Sequence, residues 1–200
     1  MKVGVIDYGL GNLPSVTKAL ARVGVEPEIV STPDGFDESF AALVLPGVGH
    51  FGAGARNLRE AGFDSAIKDW VAADRKLLGI CVGLQLFFAT SEEDRTERGL
   101  GIVDGEVKLI TGAPKVPHMG WNDLSVVDGD AVMSAVGGDK VYFVHSYHVV
   151  PDASVVTSTT TYGSEFCASI RVGSITGVQF HPEKSADVGR RLLEAWSQTL

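Results

Sequence analysis

The segment LLGICVGLQLFF, residues 77 to 88, places one cysteine between two glycines in a run that is otherwise apolar except for Gln85. Gly79 and Gly83 flank Cys81 at two residues on each side, the spacing of a nucleophile elbow between a strand and a helix. The start of the following helix would favour the thiolate, which is the attacking form of cysteine. The backbone N–H of Val82 would then face a developing oxyanion. Cys81 is therefore a candidate nucleophile, and a small buried packing residue is the alternative that this position leaves open.

The segment VQFHPEKS, residues 178 to 185, offers a base and a group to orient it. Proline biases the preceding His181 towards extended geometry, and residues two apart in an extended chain project to the same side. Glu183 can therefore orient the His181 imidazole. With Cys81, these residues make the set expected of a catalytic triad, whereas a strand end with a solvated histidine and glutamate is the competing interpretation.

The sequence predicts structural roles for the other cysteine and for a pair of histidines. Cys167 lies in a strand-like run without glycines close on both sides, and neither cysteine belongs to a CxxC pair, so we expect no disulfide framework and no thiolate zinc site. His145 and His148 have no carboxylate or thiol close by in sequence, so we expect no metal site there either.

The elements that must position these residues alternate between strands and helices in the first half of the chain. Apolar runs predict buried strands, and helical spacing of apolar residues predicts helices, one of them interrupted near Gly62. The predicted strands are 2–7, 27–30, 41–46 and 76–80, and the predicted helices are 11–24 and 55–73. This order predicts an α/β fold with a mostly parallel open sheet flanked by helices.

The sequence pattern changes after residue 100. Four strand-like stretches separated by Gly, Pro and Asp turns predict antiparallel strands added in the C-terminal half: GIVDGEVKLI, VYFVHSYHVV, VVTSTTTY and FCASIRVGSITGVQF. Residues 185–200 predict a final helix capped by Ser185 or Asp187. With no linker or repeat in the sequence, we expect residues 1–200 to form a single domain.

Charge and hydropathy limit the classes of partner. Asp and Glu number 25 against 17 Lys and Arg, a formal net charge of −8, and no dense basic run occurs, so nucleic acid is not an expected partner. The apolar runs are shorter than the roughly 20 residues that span a bilayer, and the first residues do not have the pattern of a signal peptide. We therefore expect a cytoplasmic protein that does not enter membranes.

Six stretches across nearly the whole chain resemble the class I glutamine amidotransferases, which have a Cys-His-Glu triad and a flavodoxin-like fold. They are DYGLGNLPSV, LPGVGHFG, GICVGLQLFF, VPHMGWN, YFVHSYH and QFHPEKS. The elbow and the HPE segment indicate the class, and the first, fourth and fifth stretches are similar to the glutaminase subunits of imidazole glycerol phosphate synthase. The chain departs at Val82 and Leu84, where the family more often has Leu and Met, and both changes are conservative.

The resemblance implies hydrolysis of L-glutamine to glutamate and ammonia through a thioester on Cys81, with His181 as acid and base and Glu183 holding the imidazole. It implies that the ammonia passes to a separate cyclase subunit in a heterodimer, which forms imidazole glycerol phosphate and aminoimidazole carboxamide ribotide in histidine biosynthesis. It implies no metal and no organic cofactor.

The resemblance and the local sequence together suggest further site residues. In PGVG, residues 46–49, glycine-flanked backbone could offer the Val48 N–H as a second oxyanion donor, with a flexible turn as the alternative. Gln85 follows Cys81 by four residues, on the same helix face. The expected substrate-binding residues are Gly49, Gln85, Glu93, His145 and Ser146, with Glu93 at the family position for the α-ammonium group and the HSYH backbone facing the α-carboxylate.

A partner surface is expected at the edge of the sheet where the catalytic residues lie. Loops at residues 9–12 and 118–122 would open onto this face, which would carry Asn12, Trp121 and Lys184. A packing role for Trp121 is the alternative. Gly47 and Gly49 would let the oxyanion loop reorient when a partner docks.

Three other functions stay open at this point. A stand-alone cysteine hydrolase of γ-glutamyl substrates would need no partner, and the glutaminase subunit of another amidotransferase would need a different one. A non-catalytic interaction module could also retain the fold, although the three triad residues argue against it.

Overall fold

The computed structural model describes residues 1–127 and 129–200. The strands are β1 (Lys2–Ile6), β2 (Glu26–Val30), β3 (Phe40–Gly47), β4 (Lys76–Cys81), β5 (Gly105–Leu109), β6 (His118–Asp123), β7 (Ser125–Val126), β8 (Lys140–His145), β9 (Tyr147–Pro151), β10 (Val156–Tyr162), β11 (Ser164–Val172) and β12 (Ile175–Val178). The helices are α1 (Leu13–Arg22), α2 (Phe51–Glu60), α3 (Phe63–Ala72), α4 (Val82–Gln85) and α5 (Ala186–Ser197).

The main sheet has eight strands in the order β2-β1-β3-β4-β12-β11-β10-β7. The strands from β2 to β12 run parallel, and β11, β10 and β7 continue the sheet with antiparallel pairing. The apolar strands β1, β3 and β4 lie inside the sheet and are almost entirely buried, as expected for parallel strands that are covered on both faces. The predicted mostly parallel sheet with antiparallel strands in the C-terminal half is confirmed.

The predicted burial of one strand is wrong. Strand β2 forms at the expected place, but only its last residue, Val30, is buried, and Ile29 is half exposed. The reason is its position at the edge of the sheet, where it pairs with β1 alone. The apolar character of residues 27–30 therefore indicated a strand without indicating how deeply it is buried.

Helix boundaries differ from the predictions by a few residues. Helix α1 is two residues shorter at each end than predicted, because Asn12 is its N-cap and its side chain accepts a hydrogen bond from Ser15 N at 3.3 Å. Helix α2 begins four residues before predicted residue 55, capped by His50, whose Nδ1 accepts from Gly52 N at 3.1 Å. The predicted break near Gly62 is confirmed, since α3 begins directly after it.

Two antiparallel ribbons, β5-β9 and β6-β8, lie beside the main sheet. Residues 118–122, which we expected to form a loop, belong to β6 and pair with β8, with Trp121 opposite Tyr142. Exposure alternates along β6, so one face of this ribbon packs inward while Met119 and Trp121 face outward. Among the described helices, none combines the length and apolar character needed to cross a bilayer.

Candidate active site

Cys81 ends β4 in a strained backbone conformation. Its φ of 55° and ψ of −112° are sparsely populated for a residue with a side chain, and such strain costs on the order of 1–3 kcal/mol. The strand-to-helix elbow predicted from the spacing is therefore present. The spacing also led us to expect a partly exposed thiol, and this is wrong: Cys81 is only 3% exposed and lines a cavity.

The flanking glycines allow the elbow to pack against its neighbours. A Cβ on Gly79 would lie 2.5 Å from Phe87 Cζ, and one on Gly83 would lie 2.9 Å from the Leu45 carbonyl carbon, both closer than real side chains approach. Helix α4 spans four residues only, so its first N–H groups are present but a long helix dipole is not. The expected dipole contribution to the thiolate is therefore small.

Sheet register brings the histidine to the cysteine. Strand β12 runs parallel to β4 with Val178 opposite Ile80, so the chain that leaves β12 passes Cys81 before it reaches His181. Ser185 then holds this turn, because its hydroxyl donates to the His181 carbonyl at 2.6 Å and accepts from Tyr142 N at 2.9 Å. Ser185 occupies the N-cap position of α5 as predicted, but its side chain makes no capping hydrogen bond.

His181 and Glu183 form a buried pair. Nδ1 of His181 lies 2.7 Å from Oε1 of Glu183, and their side chains are 1% and 2% exposed. Burial by itself lowers the pKa of His181, but interactions with Cys81 and Glu183 outweigh it and raise the pKa to about 9. His181 is therefore an imidazolium at neutral pH, and its Nε2 makes no hydrogen bond of normal geometry to the described residues.

A cavity of about 390 Å³ opens above this arrangement. It brings together most of the residues singled out in the sequence and adds three that the sequence analysis did not name. The lining residues are Val48, Gly49, Cys81, Val82, Gln85, Glu93, Pro117, Val144, His145, Ser146, Tyr147, His181 and Lys184. Its size and its mixture of backbone, amide, carboxylate and thiol groups suit a small polar ligand.

The expected oxyanion loop lies beside Cys81. Gly47, the last residue of β3, is opposite Cys81 in the parallel register, so Val48 and Gly49 emerge next to the elbow and line the cavity together with Val82. Gly49 has a φ of 95°, a conformation that favours glycine. Val48 and Val82 as oxyanion donors stay a prediction.

Glu93 and Gln85 both line the cavity, and different hydrogen bonds hold their side chains in place. The Oε2 of Glu93 accepts a hydrogen bond from Phe51 N at 2.6 Å, at the start of α2, which fixes the carboxylate at the cavity wall. Gln85 is buried in α4, and its Nε2 donates to the Tyr147 carbonyl at 2.9 Å and to Gln179 Oε1 at 3.1 Å. Their binding of a substrate stays a prediction.

The side chain of His145 is engaged inside the protein. Its Nδ1 lies 2.8 Å from the Tyr147 carbonyl and must donate to it, so Nε2 accepts from His118 Nδ1 at 3.1 Å. Burial lowers the pKa of His145 to about 3 and that of His118 to about 4, so both rings are neutral. The segment from His145 to Tyr147 can therefore face the cavity with its backbone while the His145 ring fixes the fold of that backbone.

Two of the expected partner residues, Trp121 and Lys184, lie near the same ring, that of Tyr142. Half-exposed Trp121 packs edge-on against Tyr142 at 6.1 Å between ring centroids, and Lys184 Nζ lies 5.9 Å from the same ring. Lys184 also lines the cavity. Helix α1, which begins after Asn12, packs against the turn that contains Lys184.

Two residues near Cys81 were missed by the sequence analysis. Gln179 is completely buried, and its Nε2 lies 3.7 Å from Cys81 Sγ. Tyr8 is also buried; its hydroxyl donates to the Pro46 carbonyl at 2.8 Å, and burial together with the charge of Cys81 raises its pKa. The signal for Gln179 was its place two residues before His181, which puts both side chains on one side of an extended segment.

Cys167, which we assigned to packing, is buried as expected. Cys167 is 7% exposed, donates to the Ser169 carbonyl at 3.4 Å, and burial raises its pKa to about 12. In residues 1–127 and 129–200, no three His, Cys, Asp or Glu side chains group as metal ligands would. The chemistry available is thus nucleophilic attack by a thiol beside an imidazolium, on a ligand held in the cavity.

The sequence model of the class I glutamine amidotransferases matches residues 4–196. Imidazole glycerol phosphate synthase subunit HisH from Carboxydothermus hydrogenoformans is 48% identical over 191 residues, which cover 95% of this chain and 96% of the relative. The protein of the same name from Aquifex aeolicus is 47% identical, with 97% of this chain and 95% of the relative covered.

Solved structures share the fold at lower identity. A chain of PurLQS from Thermotoga maritima superposes with a TM-score of 0.79 at 21% identity, covering 99% of this chain and 98% of that one. A crystal structure described as a glutamine amidotransferase gives a TM-score of 0.77 at 22% identity, with 98% of each chain covered. These two structural similarities show the fold alone.

Proposed function

The chain belongs to the class I glutamine amidotransferases, and we propose that it is the glutaminase subunit of imidazole glycerol phosphate synthase in histidine biosynthesis. It hydrolyses L-glutamine to glutamate and ammonia and supplies the ammonia to the cyclase subunit, which forms imidazole glycerol phosphate and aminoimidazole carboxamide ribotide. The observation that carries this proposal is the buried set of Cys81, His181 and Glu183 beneath the cavity, in a chain with relatives of that name along nearly its full length.

The first half-reaction pairs the Cys81 nucleophile with the protonated His181. The Cys81 thiolate attacks the side-chain amide carbon of glutamine, and the carbonyl π electrons move onto oxygen. When the tetrahedral intermediate collapses, the C–N bond breaks, and the His181 imidazolium gives its Nε2 proton to the departing nitrogen. Ammonia and a Cys81 thioester result. A pKa of about 9 keeps His181 protonated for this step at neutral pH.

The second half-reaction reverses the role of the imidazole. Neutral His181 accepts a proton from water as the water oxygen attacks the thioester carbon, and the C–S bond breaks to give glutamate and the thiolate. Glu183 holds Nδ1 throughout at 2.7 Å, so Nε2 stays directed at the cavity. The N–H groups of Val48 and Val82 stabilise the oxyanion in both halves, each donor contributing roughly 10²- to 10³-fold.

The cavity walls suggest how glutamine is oriented. Glu93, anchored at the start of α2, accepts the α-ammonium group. Backbone groups of His145 and Ser146, with Gly49 across the cavity, meet the α-carboxylate, and the amide of Gln85 lies on the same side as Tyr147. No metal or organic cofactor takes part.

The cyclase subunit docks at the cavity rim. The proposed surface, defined by Asn12, Trp121 and Lys184, has a large exposed aromatic residue and a cation beside the cavity mouth. Docking reorients the oxyanion loop and raises glutaminase activity. Such coupling is advantageous, since ammonia released without an acceptor would be lost.

Residues 1–200 form a single domain in this proposal. A continuous set of buried apolar side chains extends from Val3 in β1 to Trp196 in α5, which supports one core. The cytoplasm is the proposed location, and neither nucleic acid nor membrane is a proposed partner.

The test is product formation by the complex with glutamine or with ammonium salts as the nitrogen source. Cys81→Ala should abolish glutamine-dependent synthesis and leave ammonium-dependent synthesis intact, because the cyclase chemistry belongs to the other chain. Cys167→Ala is the matched control and should retain both activities. Glutamine hydrolysis at the wild-type rate by Cys81→Ala would overturn the assignment, and hydrolysis of γ-glutamyl peptides in preference to glutamine would favour a stand-alone hydrolase.

A further inference from the structure

Gln179 is held in a fixed place beside Cys81 and behind the residues that line the cavity. Its backbone N donates to the Ala168 carbonyl at 2.8 Å, and two residues later His181 N donates to the Tyr142 carbonyl at 2.9 Å, so the segment is held on both sides. The side chain is completely buried, with its Nε2 at 3.7 Å from Cys81 Sγ.

The hydrogen-bond network determines which way the Gln179 amide points. The Tyr147 carbonyl can only accept, so the Gln85 atom at 2.9 Å from it must be the NH₂ group. That NH₂ group also lies 3.1 Å from the Gln179 amide, which must therefore present its oxygen there. A flipped Gln179 would set two NH₂ groups against each other. Its own NH₂ group is consequently directed at Cys81 Sγ.

The sulfur changes its capacity as an acceptor during the reaction. A thiol is a weak acceptor, whereas a buried thiolate accepts a charge-assisted hydrogen bond, and such bonds are roughly twice as strong as neutral ones. An N–H fixed beside Sγ therefore favours the state with the anion. The same N–H assists departure of the thiolate when the thioester is hydrolysed.

We propose that Gln179 is a positioning residue that donates its amide N–H to the Cys81 thiolate and, through Gln85, ties the nucleophile to the Tyr147 side of the substrate cavity. This inference rests on the proposed role of Cys81 as nucleophile. Gln179 is not among the residues that line the cavity, so it acts through Cys81 and Gln85.

The test measures the rate of Cys81 alkylation by iodoacetamide against pH, in a Cys167→Ala background so that one thiol is followed. Gln179→Met keeps the length of the side chain and removes the donor. We expect the pH midpoint of its alkylation to move up by about one unit, because one charge-assisted hydrogen bond to the thiolate is lost. Below the midpoint, alkylation should be about tenfold slower. Exposed Gln198, changed to Met, is the matched control and should leave the midpoint unchanged.

A second variant separates the two contacts. Gln179→Glu keeps an oxygen to accept from Gln85 but replaces the donor with a carboxylate, so the midpoint should rise at least as far as in Gln179→Met. With glutamine in the complex, Gln179→Met should also raise KM, because Gln85 loses its acceptor, whereas Gln179→Glu should chiefly lower kcat.

The outcomes distinguish this inference from the proposed function. A wild-type chain in which Cys81 is not alkylated and glutamine is not hydrolysed would overturn both. A wild-type chain that is active, with an alkylation midpoint unchanged in both Gln179 variants, would overturn the inference alone, even if their activity fell. If Gln179→Met does not fold by circular dichroism, the Gln179→Glu midpoint decides.

Discussion

Gly47→Ala tests how closely the oxyanion loop must fit the elbow. A Cβ at this position would lie 2.5 Å from Gly83 N, 2.8 Å from Val82 Cβ and 2.9 Å from the Val82 carbonyl carbon. Two of these are backbone atoms and the third is the root of a side chain, so rotation of a side chain cannot relieve the overlap.

The magnitude follows from these distances. The end of β3 and the first turn of α4 have to separate by about 0.9 Å for the nearest contact to reach the 3.4 Å of an ordinary van der Waals distance. A misplacement of about 1 Å in a catalytic constellation can cost about 10²-fold in rate. Overpacking of a core costs roughly 1–3 kcal/mol of stability. We therefore expect about 10²-fold slower glutamine hydrolysis in a folded but less stable protein.

The assay compares glutamine-dependent with ammonium-dependent synthesis by the complex, together with urea unfolding of the isolated chain. Glutamine-dependent synthesis should fall about 10²-fold while ammonium-dependent synthesis is retained, which shows that the complex still forms. Gly137→Ala is the matched control, because a Cβ there meets only Val126 at 3.8 Å. Wild-type glutamine turnover by Gly47→Ala would refute the reasoning that close packing of this loop positions the oxyanion donors.

Three further predictions concern the thiols, the buried pair and the rim. A glutamine-analogue alkylating agent should label Cys81 and not Cys167, whose pKa is about 12, and peptide mass spectrometry showing chiefly Cys167 labelled would contradict this. Because the pKa of His181 is raised from 6.5 to about 9, its contribution to stability is complete below pH 6.5 and is lost as the pH rises through 9. Cys81 and Glu183 both raise this pKa, so Glu183→Gln should remove only part of the contribution of about 3 kcal/mol. The free energy of unfolding should fall most near pH 6 and progressively less towards pH 10; a deficit that grows with pH in urea titrations would disprove the pairing. Trp121→Ala should weaken binding of the cyclase subunit by about 30-fold or more in calorimetry, and unchanged affinity would remove Trp121 from the partner surface.

Local sequence was sufficient for the elbow and for the class of fold. The two glycines around Cys81 predicted a strained turn because only residues without a Cβ fit so close to neighbouring backbone, and the distances around Gly79 and Gly83 agree. The alternation of apolar strands and amphipathic helices predicted the parallel sheet, since each pattern repeats with the period of its own element. The spacing of His181 and Glu183 predicted their contact, although the geometry differs from the expected extended one: His181 is extended, but Pro182–Lys184 forms a 3₁₀ turn that brings Glu183 back to the imidazole.

The tertiary structure alone decided how distant segments meet. The exposure of β2 depended on its place at the sheet edge, and the burial of Cys81 depended on the walls around the cavity. The contact between Gln179 and Cys81 joins residues 98 positions apart through the register of β12 on β4. The protonation of His181 likewise depends on Cys81, brought from β4, and on Glu183, which together outweigh burial, whereas the neutrality of His145 depends chiefly on burial. Periodicity and spacing describe neighbours along the chain, whereas register, burial and electrostatic environment are set by which strands pair. This is why the sequence located the candidate nucleophile but not the amide beside it.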